Sequence, residues 1–140
     1  MPLAGTQLKP RKVAELLWMD GLGWVNAENL MIMVAVTGAE SNFFTEAYNH
    51  NPPTTQFPNG TWDWGMYQLN DQGKTGKAQE DFKALAFDPE SATELARELY
   101  VHRMFSPWVA YKNGTWEKFI PQASVAVCNM LRERYDVPLL

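Results

Sequence analysis

The chain has 140 residues, with 46 % hydrophobic and 20 % charged residues. That is one domain's worth of chain with an ordinary soluble composition, large enough to bury a core without covalent staples. A single cysteine, Cys128, excludes any intrachain disulfide and with it an extracellular, disulfide-framed design. The net charge of −4, with no basic block, excludes the usual electrostatic footprint of a nucleic-acid binder.

Helical periodicity is expected from about Pro10 to Asp20, with Val13, Leu16 and Leu17 on one stripe and a loop at Gly21-Leu22-Gly23. The stretch Leu16-Leu17-Trp18-Met19 is broken by Asp20 and does not read as a signal peptide. Asn26 is a plausible N-cap for a second helix, with Glu28 in its first turn. Leu30 to Val36 is apolar on every face and far too short to span a membrane, so this helix should be buried all round. It runs out near Gly38-Ala39-Glu40, which leaves a carboxyl at the end of a buried helix, where both the dipole and the apolar surroundings disfavour charge.

Residues 41–70 turn polar, with Asn51-Pro52-Pro53 and Pro58-Asn59-Gly60 as turn signals. Trp62–Trp64 and Met66–Leu69 read as strands of a small hairpin sheet. Helix returns over Lys77–Leu85, and Asp88-Pro89-Glu90 opens another, carrying Leu95, Leu99 and His102/Arg103. Ser106-Pro107 should start a short helix with Trp108, Val109 and Tyr111, stopped at Asn113-Gly114. A last helix covers Gln122 to about Tyr135, with Ala123, Ala126, Val127, Met130 and Leu131 inward and Cys128 read as a small buried residue. Asn-Gly-Thr-Trp occurs at 59–62 and again at 113–116, a turn chemistry used twice. The expected architecture is α+β, mainly α, in one domain over 1–140: a helical lobe (1–47 and 71–140), a β lobe (48–70), and a cleft between them suited to an extended ligand.

Glycoside hydrolysis needs one carboxyl kept protonated by apolar burial and a second held as a carboxylate by polar neighbours. Glu40 fits the first role, and Asp63, in a segment rich in Asn and Thr, fits the second. With 16 acidic residues in the chain, many other pairs could be nominated on this ground alone.

Residues 40–51 follow the pattern E-S-N-F-x-T-x-A-x-N-x-N, which resembles the segment around the catalytic glutamate of animal-type (c-type) lysozymes. Asp63-Trp64-Gly65-Met66-Tyr67-Gln68-Leu69-Asn70 resembles their D-x-G-x-x-Q-[IL]-N strand, and Trp108-Val109-Ala110-Tyr111 a W-V-A-aromatic segment beside the acid. Phage lysozymes and lytic transglycosylases with a lysozyme-like domain carry similar blocks. The match is close over 40–70, loose over 88–116 and absent at both ends. It implies a lysozyme-like fold with Glu40 as general acid and Asp63 as nucleophile or electrostatic stabiliser. It also implies that Asn51 bonds Asp63 and keeps it ionised with Asn49 nearby, and that Gln68, Asn70 and Trp108 line the cleft. Trp62, Trp64 and Tyr67 are candidates to stack on sugars, although core packing competes for one of each alternating pair.

The chain departs from the c-type pattern in lacking disulfides and in a longer Asn51–Asp63 gap, which could reshape the subsites or move Asp63. The activity implied is a peptidoglycan muramidase cutting the β-1,4 MurNAc–GlcNAc bond without a cofactor. Lytic transglycosylase, chitinase and a non-catalytic module of the same fold are the rivals. No metal site is expected: His50 and His102 are isolated and no H-E-x-x-H or Cys-x-x-Cys occurs. A wall hydrolase without disulfides or signal peptide points to a bacteriophage lysin, in the host cytoplasm before lysis or carried in the virion. It would be a monomer or one domain of a larger phage protein, with no nucleic-acid partner and no membrane insertion.

Overall fold

The computed structural model describes residues 2–20 and 26–135; the loop expected at Gly21-Leu22-Gly23 lies outside them. Among these residues there are six helices and one three-stranded antiparallel sheet. Helix α1 (Pro10–Asp20) and α2 (Ala27–Ser41) come first. Strands β1 (Tyr48–Asn51), β2 (Thr61–Trp64) and β3 (Leu69–Asn70) follow, in that spatial order. Helices α3 (Gly76–Phe87), α4 (Pro89–Arg103), α5 (Val109–Lys112) and α6 (Ile120–Tyr135) complete the chain, with a 3₁₀ turn over Thr115–Phe119.

Helix α2 is the axis of the core. Its cap is the one expected: the Asn26 side chain accepts from the Asn29 amide at 2.8 Å. Leu30 and the whole run from Met33 to Gly38 are buried, and α1, α5, α6 and the 3₁₀ turn pack around them; Met31 and Ile32 are only half-buried, so the helix is not buried on every face as expected. Gly38 permits the closest of these approaches, since a Cβ there would run into the rings of Phe43 and Phe119. Asp88 caps α4 by accepting from Ser91 at 3.0 Å, with Pro89 at the first helical position.

Three further expectations need correction. Met66 to Gln68 form a turn, not a strand, because Gly65 and Gln68 both take positive φ (81° and 49°) and reverse the chain into the two-residue β3. A Cβ on Gly65 would overlap the Ala86 carbonyl oxygen, so this turn also seats β2 against the end of α3. Ser106 and Pro107 precede α5 instead of opening it; Trp108 is its N-cap residue. Cys128 is exposed, not buried. The buried stripe of α6 is Ala123, Ala126, Val127 and Met130, and the residue after Val127 is turned about 100° away from it.

The repeated tetrapeptide does serve turns twice: Gly60 (φ 76°) precedes β2, and Gly114 (φ 81°) precedes the 3₁₀ turn. One pairing had no sequence signal. The N-terminal segment runs beside residues 43–46, with Leu8 N–H donating to Phe43 (2.9 Å), Thr45 N–H to Thr6 (3.0 Å) and Glu46 N–H to Ala4 (2.9 Å). It braces the stretch of chain that leaves α2.

Candidate active site

Glu40 stands in the last turn of α2, half-buried. Immediately beyond it Asn42 (φ 50°) and Phe43 (φ 67°) both adopt left-handed backbone, and the Phe43 ring is buried edge-on to Phe119 at 6.0 Å. Packing of that ring holds a sharp exit that would otherwise be costly for two non-glycine residues. The neighbouring hydroxyls are committed to the helix itself: Thr37 donates to the Met33 carbonyl (2.7 Å) and Ser41 to that of Thr37 (3.1 Å). Among the described residues the partner of Glu40 is therefore a backbone group, the Ala110 N–H, which donates to Oε1 at 2.9 Å. That amide is free to do so because it lies in the first turn of α5, where no helical carbonyl is available. Burial pushes the Glu40 carboxyl above its ordinary value of 4.5; the Ala110 N–H opposes this, and the nearby Asp63 charge adds to it.

Asp63 is on β2, and the sheet register explains its surroundings. Asn49 lies opposite Asp63, Asn51 opposite Thr61, and Asn70 of β3 opposite Asp63 on the other side. Paired residues share a sheet face, so one face carries only Asn49, Asn51, Thr61, Asp63 and Asn70. The amide of Asn51 donates to Asp63 Oδ2 (3.0 Å), with that of Asn49 at the limit of bonding (3.4 Å), and Asn70 donates to Oδ1 (2.9 Å). Thr61 Oγ1 accepts from Asn51 (3.1 Å) and Asn70 (2.9 Å), which ties both amides together below the carboxylate. The long 52–60 connection leaves this register intact because it closes on itself, through Thr54 N–H to the Phe57 carbonyl (2.9 Å) and Phe57 N–H to Thr54 Oγ1 (3.0 Å).

Glu40 and Asp63 line one cavity of about 670 Å³, together with Asn51, Gln68, Asn70 and Trp108. The other expected residues divide. Asn49 reaches Asp63 without lining the cavity. The Gln68 amide is committed to the Gly65 (2.8 Å) and Ala47 (3.2 Å) carbonyls, so its donor end braces the β turn. Trp108 is wall and core at once: its ring is buried and its Nε1–H donates to the Tyr67 carbonyl at 2.9 Å, fixing the start of α5 and hence Ala110.

Tyr67 is fully buried, which removes it from sugar stacking. Thr93 gives its hydroxyl proton to the Pro89 carbonyl (2.7 Å), so Tyr67 donates to Thr93 (2.8 Å) and anchors the β turn to α4. Trp62 and Trp64 occupy the face opposite Asp63, stacked on each other at 5.0 Å beside Tyr48, and Trp64 meets Phe87. They pack the outer side of the sheet and do not line the cleft.

Three contributors were missed. The alternation Thr61-Trp62-Asp63 places Thr61 on the face of Asp63, a signal present in the sequence. Asp71 is fully buried and accepts from Trp62 N–H (3.1 Å), Gly73 N–H (3.0 Å), Trp64 Nε1–H (3.2 Å) and Gln79 Nε2–H (3.3 Å), pinning β2 to the turn before α3. Its signal is the Asp-Gln-Gly turn. The Ala110 amide had none, since a backbone donor carries no side-chain identity.

The chain is similar to the tracheal isozyme of lysozyme C from Bos taurus, with 28 % identity over an alignment of 119 residues that covers 78 % of each chain. The likeness supports a lysozyme-like relationship. The α+β architecture, mostly helical with a small three-stranded sheet, is that of a lysozyme-like fold. No family model matches the sequence, and no solved structure matches it.

Proposed function

We propose that this protein is a muramidase that hydrolyses the β-1,4 bond between N-acetylmuramic acid and N-acetylglucosamine in peptidoglycan, with Glu40 as general acid and Asp63 as its partner. The observation that carries the reading is the contrast between two carboxyls in one cleft. Glu40 is half-buried at the end of an apolar helix with its proton affinity raised, and Asp63 sits among asparagine amides that all donate to it. The similarity to a lysozyme supports a glycosidase of this kind.

In this mechanism protonated Glu40 gives its proton to the leaving glycosidic oxygen as the C1–O bond breaks. Positive charge developing on the ring is met by the Asp63 carboxylate, as an ion pair or a covalent glycosyl ester. The Glu40 carboxylate then takes a proton from water as that water attacks C1, which restores both groups and gives a retained, reducing-end product. The amides around Asp63 keep the carboxylate facing the cleft throughout.

We place the protein as a bacteriophage lysin, made in the host cytoplasm and acting on the wall after release through a holin or from the virion. A fold with one exposed cysteine and no disulfide to form suits synthesis in a reducing compartment. Equal lytic activity in reduced and oxidised samples is expected, and dependence on oxidation would count against this placement.

The test of the activity is product analysis by mass spectrometry after digestion of purified peptidoglycan. Muropeptides with reducing MurNAc ends, lost on Glu40→Gln, are expected. Products ending in 1,6-anhydro-MurNAc would identify a lytic transglycosylase. An absence of products together with intact saccharide binding would identify a non-catalytic module.

A further inference from the structure

The two walls of the cleft differ in chemistry. The sheet wall is lined by the amide side chains Asn51, Asn70 and Gln72, with Gln68 beside them holding the β turn. The opposite wall, from the second half of α4 to α5, presents Leu95, Leu99 and Val109 with Arg103 and Lys112. Outside the Glu40–Asp63 pair, the cavity lining holds Lys74, Arg103 and Lys112 against a single acid, Glu98, in a chain whose net charge is −4. The protein is acidic overall, yet along this lining cations and acids are equal in number.

These cations are not equivalent. Lys74 is committed, donating to the Asp71 carbonyl at 3.3 Å and lying over the Phe82 ring. Arg103 and Lys112 are exposed, and neither is in an ion pair among the described residues. Val109, 60 % exposed, offers an apolar surface on the same wall. Uncharged sugar hydroxyls and acetamido groups have no use for two free cations. A peptide with carboxylates and small apolar side chains does.

Resting on the muramidase reading, we propose that the α4–α5 wall recognises the anionic peptide borne by muramic acid, with Arg103 and Lys112 pairing its carboxylates, while the amide wall holds the glycan backbone. The cleft then discriminates in favour of peptide-substituted glycan and against an unsubstituted β-1,4-GlcNAc chain.

The experiment is calorimetric binding to full-length Glu40→Gln protein, with two probes: a GlcNAc–MurNAc tetrasaccharide bearing stem peptides, and chitotetraose. At about threefold per exposed ion pair, the added double change Arg103→Gln/Lys112→Gln should weaken the peptide-bearing probe roughly tenfold at low salt. The same change should leave chitotetraose within about twofold, and high salt should erase the difference. Arg103→Lys/Lys112→Arg should restore binding, and an unchanged melting temperature separates the effect from misfolding. Equal losses for both probes, or none, would overturn the wall assignment while leaving the muramidase reading standing. Failure to bind either probe would overturn both. A glycerol phosphate oligomer that bound as tightly through the same two residues would overturn the assignment to peptide.

Discussion

Replacing Asp71 by Asn changes one atom and should cost far more than that suggests. In the folded protein Oδ1 accepts two backbone N–H groups, from Trp62 and Gly73, and Oδ2 accepts the Trp64 indole and the Gln79 amide, all in a fully buried site. Asparagine has one acceptor oxygen. Leaving it with the two backbone groups turns its NH₂ toward the other two donors. Gln79 is half-buried and can rotate to present its own oxygen, but the Trp64 indole is only 6 % exposed and has no such freedom. An orphaned buried donor costs about 1–3 kcal/mol, and the two retained bonds lose their charge assistance, about 1 kcal/mol more in total, so the expected destabilisation is roughly 2–4 kcal/mol. Urea unfolding followed by tryptophan fluorescence reads this as a lower midpoint at unchanged slope. Asp81→Asn is the control, because Asp81 makes only an exposed i,i+4 pair with Lys77 and should cost no more than about 0.5 kcal/mol. If Asp71→Asn cost no more than that control, the picture of Asp71 as the clasp of the β lobe would be wrong.

Glu40→Gln should make the protein more stable at neutral pH and no more stable in acid. The Glu40 value is raised on folding, so the folded state holds its proton more tightly than the unfolded chain does. Stability is therefore lost as pH climbs from 4.5 to the raised value and stays lost above it, and glutamine, which mimics the protonated form, escapes that loss. Urea midpoints at pH 4 and pH 8 check the sign. Asn70→Ala removes donors from Asp63 and Thr61, both at 2.9 Å, and should lower the lytic rate by roughly ten- to a hundredfold, the worth of one hydrogen bond to a charged group. Trp62→Ala should leave binding of the cleft to saccharide within about twofold, since the ring is on the other sheet face, while an exposed-edge aromatic stack contributes about 0.5–1.5 kcal/mol to stability; a large loss of saccharide affinity with stability intact would contradict the register.

Much of this was legible because local rules and tertiary context agree. Asn26 and Asp88 are caps whose side chains can do little else, and the run Leu30–Val36 is apolar enough to draw most of its length into the core, so α2, α4 and the placement of Glu40 follow. The all-polar set Asn49, Asn51, Thr61, Asp63 and Asn70 follows from strand alternation once the register is known.

What misled was chemistry that changes with partners far along the chain. Tyr67 reads as a sugar platform until Thr93 is found beneath it, and Trp62 and Trp64 do so until they are found stacked on each other, with Tyr48 beside Trp62 and Phe87 against Trp64. Met66–Leu69 has strand composition, but the close approach of Gly65 to Ala86 forces a turn. Cys128 reads as part of the apolar stripe of the last helix, but it stands one residue past Val127 and faces outward. The most consequential donor, the Ala110 amide, is placed by a buried indole forty-one positions away in sequence from its own carbonyl partner.

The most direct test is the rate and product distribution of Asp63→Asn on purified peptidoglycan, followed by mass spectrometry. If Asp63 is the partner carboxylate, the folded variant should release reducing-end muropeptides at no more than roughly one-hundredth of the wild-type rate, a loss of at least about 2.7 kcal/mol of transition-state stabilisation. Undiminished release, or anhydro-muropeptides that persist in the variant, would contradict the two-carboxylate mechanism and leave Glu40 acting alone.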